Sequence, residues 1–345
     1  MKVAYFTALR EMEVREEPRP ELTRPMDVLL RIERLGVCGS DVHYYTEGGI
    51  GDQRLQYPAS LGHEFSATVV QAGPEVRGLQ PGDRVAVDPA LSCGHCDQCR
   101  NGRANTCRHL QFLGCPGEAP GAAAEYRVLP AENCFPIPET MSLDDAALVE
   151  PLSIGLYAAR LAALRPETRV AILGSGPIGL CVLLCSKALT QCRAYVTDLL
   201  DPRLRAAQAC GADWTGNPRQ SDVTAAICQQ EPLGLDVVFE CSGDPQCLDD
   251  AQRMLMPGGT LVLVGIPGVR RVDFDVHVMR RKELTFKNVR RQRDCVAPAI
   301  ELVANRRVDL SPLLTHRFAM PRMQEAFELV AAYGDGVIKA VVELA

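Results

Sequence analysis

Five strand-forming residues, Arg169-Val170-Ala171-Ile172-Leu173, run straight into Gly174-Ser175-Gly176-Pro177-Ile178-Gly179 and then into an apolar, helix-length stretch, Leu180 to Leu189. A strand, a glycine-rich turn and a helix in that order restrict a chain to very few folds. One glycine allows the tight turn, one lets a pyrophosphate approach the backbone, and one lets the helix pack on the strand. Amides at the start of the helix then face the phosphates. The pattern predicts a dinucleotide site built on Gly174, Gly176, Pro177, Ile178 and Gly179, with a plain glycine turn as the structural alternative. The next strand-like run, Ala194 to Thr197, ends at Asp198, 24 residues beyond Gly174. A carboxylate there accepts from both ribose hydroxyls and repels a 2′-phosphate, which favours NAD over NADP. Arg203 stacks on the adenine or faces a phosphate in one reading, and is a solvated helix charge in the other.

Around this motif, apolar runs alternate with helix-length stretches: Val170 to Leu173, Ala194 to Thr197, Val237 to Glu240, Leu261 to Val264. Runs buried on both faces mark a parallel sheet wrapped by helices, a doubly wound α/β domain of the Rossmann kind. The flanking sequence differs. Residues 1–150 hold short β-like runs such as Val28 to Ile32, Ala67 to Val70 and Arg84 to Val87, the last entered through a Pro81-Gly82-Asp83 turn. The tail, after Pro-punctuated segments, ends in the strand-like run Val337 to Val342. The expected organisation is therefore a β-rich domain made of 1–150 and 285–345, interrupted by the nucleotide-binding domain at 151–284. A chain of 345 residues suits two cores better than one.

A formal charge of −6 argues against nucleic acid or an anionic membrane as partner. No apolar run reaches the roughly 18 residues of a membrane span, and the N-terminus has no signal-peptide core, so a cytoplasmic location is expected.

The fifteen cysteines fall into two groups. Ten (Cys115, Cys134, Cys181, Cys185, Cys192, Cys210, Cys228, Cys241, Cys247, Cys295) are scattered, mostly among aliphatic residues, and read as small core side chains. Cys93, Cys96, Cys99 and Cys107 lie within fifteen residues in a loop rich in turn formers, a spacing suited to a closed tetrahedral zinc site. An iron–sulfur cluster also takes four thiolates, and disulfides are a third possibility. Zinc fits the hydride chemistry implied elsewhere, and with no open position it would staple the loop. The fifteenth cysteine, Cys38, opens Cys38-Gly39-Ser40-Asp41-Val42-His43. With Gly62-His63-Glu64 and Glu150-Pro151, it offers ligand types for a second, open zinc site near the nicotinamide.

These motifs, with Tyr44, Ile50-Gly51-Asp52, Val149-Glu150-Pro151-Leu152-Ser153, Val196-Thr197-Asp198-Leu199 and Leu314-Thr315-His316-Arg317-Phe318, resemble the zinc-containing medium-chain dehydrogenases over essentially the full length. The chain is most similar to the sorbitol (L-iditol) and xylitol dehydrogenase branch. The resemblance implies a Rossmann NAD-binding domain inserted in a β-rich, GroES-like catalytic domain. It implies catalytic zinc on Cys38, His63 and Glu64, with Glu150 a further ligand or linked through water. One thiolate and one carboxylate neutralise Zn²⁺, as two thiolates would. It implies that Ser40 receives the substrate's proton and passes it, through the cofactor ribose, toward His43.

By the same resemblance Tyr44 contacts substrate, Val264-Gly265-Ile266 and Val289-Arg290-Arg291 line the nicotinamide end, and Arg291 reaches substrate hydroxyls. Gln292 replaces a tyrosine found in mammalian sorbitol dehydrogenases and keeps a hydrogen-bonding group there. The four-cysteine loop resembles the bacterial and fungal enzymes. The implied activity is NAD-linked oxidation of a sugar alcohol at a secondary carbon, by a homotetramer. L-Threonine dehydrogenase is the alternative on the same scaffold. A scaffold kept only as a binding protein would show eroded ligands, whereas Cys38, Ser40, His43, His63, Glu64 and Glu150 are all present.

Overall fold

The computed structural model describes residues 1–344 and divides into two compact units. The first comprises Met1–Glu150, Val296–Asn305 and Leu314–Ala345; the second, Pro151–Cys295 and Arg306–Leu313. The expected boundary after residue 284 is corrected by this division. Thr285–Asn288 is an edge strand paired in parallel with Leu255–Leu263 inside the second unit, so 285–295 and 306–313 belong there. The strand's exposed, polar composition hid it from a search for apolar runs.

The sheet of the first unit has seven strands. Cys134–Pro136, Arg84–Val87, Glu64–Ala72, Asp27–Gly36, Lys339–Glu343 and Leu314–Ala319 lie side by side in that order, and Tyr126–Pro130 also pairs with Asp27–Gly36. The C-terminal strand thus pairs beside a strand from the first forty residues. Two registers matter. Gly36 stands opposite Glu64 on one side and opposite Val341 on the other. Cys38, two residues past Gly36, is therefore delivered to the sheet end where Glu64 begins one neighbouring strand and Lys339 begins the other.

From Cys38 the chain enters the helix Gly39–Glu47, with Asp41 in its first turn, where the helix dipole favours an acid. Gly48, at φ +70°, closes the helix. One face of the helix carries Tyr45, whose ring lies 5.4 Å from both Phe6 and Phe327, while those two stand edge-to-face at 5.2 Å. The Tyr45 hydroxyl donates to the Arg10 carbonyl at 2.9 Å and to Glu328 at 2.8 Å, and Arg10 pairs with Glu328. The helix bearing Ser40, Asp41, His43 and Tyr44 is thereby fastened to the helix Met323–Ala331.

In the second unit six parallel strands lie in the order Trp214–Gly216, Arg193–Thr197, Arg169–Leu173, Leu235–Glu240, Leu255–Leu263, Thr285–Asn288. Counted along the chain this is 3-2-1-4-5-6, with the switch between the first and fourth strands. Ala171, Leu173, Tyr195, Val238 and Leu261 form its core with residues from the covering helices. Among the described residues no helix is long and apolar enough to cross a membrane, and every cysteine is a free thiol. Cys134, Cys181, Cys185, Cys192, Cys210 and Cys295 are buried, while Cys115, Cys228, Cys241 and Cys247 are half-buried.

Phe327→Ala removes the ring at the centre of the aromatic trio and is expected to cost about 3–5 kcal/mol. Chemical denaturation followed by tryptophan-independent far-UV circular dichroism checks this, the loss falling on the transition of the first unit.

Candidate metal centres and nucleotide site

Cys38, His63 and Glu64 converge at the sheet end described above, each with a ligand atom within 4.8 Å of the others'. Gly36 makes this possible, because a Cβ there would lie 2.5 Å from a Glu64 carboxylate oxygen. The Ser40 hydroxyl donates to the Cys38 sulfur at 3.2 Å. His63 and Glu64 are buried, and the Phe112 ring packs 5.2 Å from the His63 ring. The His63 Nδ1 lies 3.5 Å from the buried carboxylate of Asp41, within ion-pair reach. Nδ1 engaged this way leaves Nε2 as the donor for a metal, the usual arrangement of a metal-binding histidine braced by a carboxylate.

The electrostatics favour a cation in this place. Burial disfavours a charged His63 ring, but Asp41 and Cys38 outweigh it and hold the imidazole well above its ordinary range. Burial likewise pushes Glu150 up to about 7, with Glu64 and Asp88 adding to the rise and His63 and Lys339 opposing it. Glu150 stands outside the three-residue cluster. A thiolate, an imidazole and a carboxylate, gathered in one buried pocket, suit Zn²⁺.

Tyr44 is buried on the same helix, and its hydroxyl donates to Gln53 at 3.1 Å. Gln53 in turn donates to Glu118 at 3.4 Å. Glu118 ends the turn Cys115-Pro116-Gly117-Glu118, closed by its amide to the Cys115 carbonyl at 3.1 Å. His43 is more exposed and is held by Glu47 at 3.0 Å one helical turn on.

The four loop cysteines form a second cluster. Sulfur–sulfur distances are 3.4 Å (Cys93–Cys107), 3.5 Å (Cys96–Cys99), 3.8 Å (Cys96–Cys107) and 4.0 Å (Cys93–Cys99). A tetrahedron with Zn–S bonds of about 2.3 Å has edges of about 3.8 Å. The amides of Cys93 and His109 point at the Cys107 sulfur at 3.3 and 3.4 Å, and those of Arg108 and Cys99 lower the Cys96 thiol.

In the second unit, the glycine-rich turn forms as expected. Gly174 has φ +92°, Gly176 caps the helix Pro177–Leu189, and a Cβ on Gly179 would sit 1.9 Å from the Gly174 carbonyl. Asp198 ends its strand with one oxygen accepting from the Ser175 amide at 2.7 Å and the other from the Leu200 amide at 2.9 Å. Its charge is thus fixed beside the turn. Arg203 is mostly shielded from solvent, with a guanidinium nitrogen 3.9 Å from Asp198 and close over Gly176. That position suits a phosphate contact better than a solvated helix charge.

Val264-Gly265-Ile266 and Val289-Arg290-Arg291 follow the ends of the next two strands at the same, carboxyl edge of the parallel sheet. Arg291 adopts a left-handed φ of +55°, a conformation that a bulky residue keeps only when its surroundings hold it. Gln292 is buried, and its side-chain carbonyl accepts from the Cys295 amide at 2.9 Å.

Five residues escaped the sequence reading. Asp41 braces His63, and Lys339 holds Glu64. Gln53 and Glu118 extend the Tyr44 chain. Glu240 accepts from the Ser242 amide and hydroxyl, both at 2.6 Å, and from the Gly243 amide at 2.8 Å, shaping the edge loop. Asp41 lies inside a motif already singled out, and an acid in the first turn of the helix that follows Cys38 was the available signal. Lys339 had none.

Residues 24–139 match the family model of the alcohol dehydrogenase GroES-like domain, and residues 177–305 match that of the zinc-binding dehydrogenases. A sorbitol dehydrogenase from Bacillus subtilis is 34% identical over 343 residues, covering 99% of this chain and 97% of its own. A zinc-binding dehydrogenase from Sinorhizobium meliloti, solved with NADP, is 30% identical at a TM-score of 0.90 over 99% of both chains. An Escherichia coli alcohol dehydrogenase, solved with NADH, is 27% identical at a TM-score of 0.90, covering 100% of this chain and 99% of its own.

The chain belongs to the zinc-containing medium-chain dehydrogenases and is a zinc-dependent alcohol dehydrogenase using a nicotinamide cofactor. Within that family it falls in the sorbitol dehydrogenase branch.

Asp41→Asn removes the charge that orients His63, and zinc affinity at Cys38, His63 and Glu64 is expected to fall about 10- to 100-fold. Equilibrium competition with a chromogenic chelator measures it.

Proposed function

We propose that this chain oxidises a secondary hydroxyl of a neutral sugar alcohol to the ketose, transferring hydride to NAD. The observation that carries the reading is the pairing of the Cys38, His63 and Glu64 cluster with a hydrogen-bonding wall, Tyr44 to Gln53 to Glu118. A pocket for a simple alcohol would be apolar. Groups placed to bond hydroxyls discriminate against analogues that lack them, because their own polar atoms are then left unpaired. The B. subtilis relative's name supports the same substrate class.

In this account Cys38, His63 and Glu64 would hold the catalytic zinc, with Glu150 a further ligand or linked through water. When bound, the metal draws electron density from the substrate hydroxyl and lowers its pKa. Ser40, at Cys38, accepts the proton, and His43, at the solvent side of the helix with Glu47 behind it, returns it to bulk. Tyr44 fixes a further hydroxyl and so orients the carbon to be oxidised; the family resemblance gives Arg291 a like role. Asp198 selects NAD, since its carboxylate would meet a 2′-phosphate with like charge.

The deciding experiment follows cofactor reduction with sorbitol, xylitol, ribitol, galactitol, iditol, L-threonine and propan-2-ol, each with NAD and with NADP. A pentitol or hexitol with NAD is expected to lead, with propan-2-ol lower by several orders of magnitude in kcat/KM. Asp198→Ala should narrow the NAD preference. Propan-2-ol or L-threonine outrunning every polyol would overturn the substrate assignment, and equal use of NADP by the native protein would overturn the role of Asp198.

We assign Cys93, Cys96, Cys99 and Cys107 to a second, structural zinc, whose binding energy is folding energy. Cys99→Ser is expected to halve the zinc content from two per chain and lower the melting temperature. Cys38→Ser should halve the zinc content as well, abolish turnover and leave the fold intact. Inductively coupled plasma mass spectrometry with calorimetry distinguishes the two.

A further inference from the structure

Glu64 is not a free carboxylate waiting for a metal. Lys339, at the start of the neighbouring strand, donates to Glu64 Oε2 at 2.6 Å and to Oε1 at 2.9 Å, and to the Val37 carbonyl at 3.1 Å. Both side chains are about 1% exposed. Water cannot screen this pair, so the charge of each is answered chiefly by the other and by whatever stands next to them. The next neighbours are Cys38 and His63.

We propose that Lys339 is the counter-ion of the catalytic metal centre, holding Glu64 in its ligating position and returning to the site the positive charge that Glu64 removes. One thiolate and one carboxylate would leave a bound dication neutral. With the ammonium paired to that carboxylate, the dication, its charged ligands and Lys339 together carry one more positive charge than they would without the lysine, set against Asp41 behind His63 and Glu150 nearby. The same charge weakens metal binding. Lys339 thus trades affinity for electron-withdrawing power, and it keeps Glu64 from being an orphaned buried anion before metal arrives. The inference rests on Cys38, His63 and Glu64 being the ligands.

The test replaces Lys339 with Met, which keeps the length of the stem and removes the charge. Metal-free protein is titrated with Zn²⁺ against a chromogenic chelator, and kcat is measured on the best polyol. Lys339→Met is expected to bind zinc at least about tenfold more tightly at the catalytic site while kcat falls at least about tenfold, a lower bound for one unit charge a few ångströms away in a protein interior. Lys339→Arg, which keeps the charge, should move both values back toward native. A residue that merely supports the fold would lower affinity and kcat together. Zinc bound equally or less tightly by Lys339→Met overturns the proposal.

If Lys339→Met does not fold, the double variant Lys339→Met, Glu64→Gln must fold, since it removes the orphaned carboxylate. A double variant equally unfolded assigns Lys339 to packing and overturns the proposal. The control is Cys38→Ser: losing one of two zincs supports the ligand set, whereas unchanged zinc content overturns that set and this proposal with it.

Discussion

The antiparallel register that sets Gly36 opposite Glu64 is the constraint on which the first unit's chemistry depends. It brings the exit of one strand and the entries of its two neighbours to a single sheet end. Cys38, Glu64 and Lys339 therefore meet without any long loop having to find its place. A slip of one residue would turn Glu64 to the opposite face and take the lysine's partner away. The glycine at position 36 is the local condition for that register, since any side chain there would collide with the carboxylate. The aromatic trio of Phe6, Tyr45 and Phe327 completes the frame by fixing the helix that carries Ser40, Asp41 and Tyr44.

The nucleotide unit solves a similar problem by different means. In a parallel sheet all strands end at one edge, so residues distant in sequence, from Gly174 to Arg291, are delivered to the same line. Asp198 does two jobs there. One oxygen of its carboxylate braces the glycine turn through the Ser175 amide, and the other accepts from the Leu200 amide. Glu240 performs the corresponding bracing for the loop Cys241–Gly243.

Much of the site was legible because its residues come in short local groups. The glycine turn, the four-cysteine loop, Cys38 through Tyr44 and His63-Glu64 each occupy one stretch of chain, where spacing alone expresses geometry. Legibility failed where partners come from far apart or where a side chain's role depends on its direction. The bond between the Gln292 side-chain carbonyl and the Cys295 amide, within one turn, could not be read from spacing. Thr285–Asn288 was placed in the wrong unit because an edge strand, buried on few sides, needs no apolar run.

Sequence by itself determined the two-unit plan, the strand–turn–helix with its glycine turn, and the two groups of residues placed where they could hold a metal. Hydrophobic period, glycine placement and ligand spacing are local properties that the chain carries into any environment. Tertiary structure alone decided that Asp41 stands behind His63 and that Glu150 lies outside the three-residue cluster. It alone paired Lys339 with Glu64, 275 residues away. A lysine near the end of a chain has no distinguishing neighbours in sequence; burial beside one carboxylate, away from water, is what gives its charge a function.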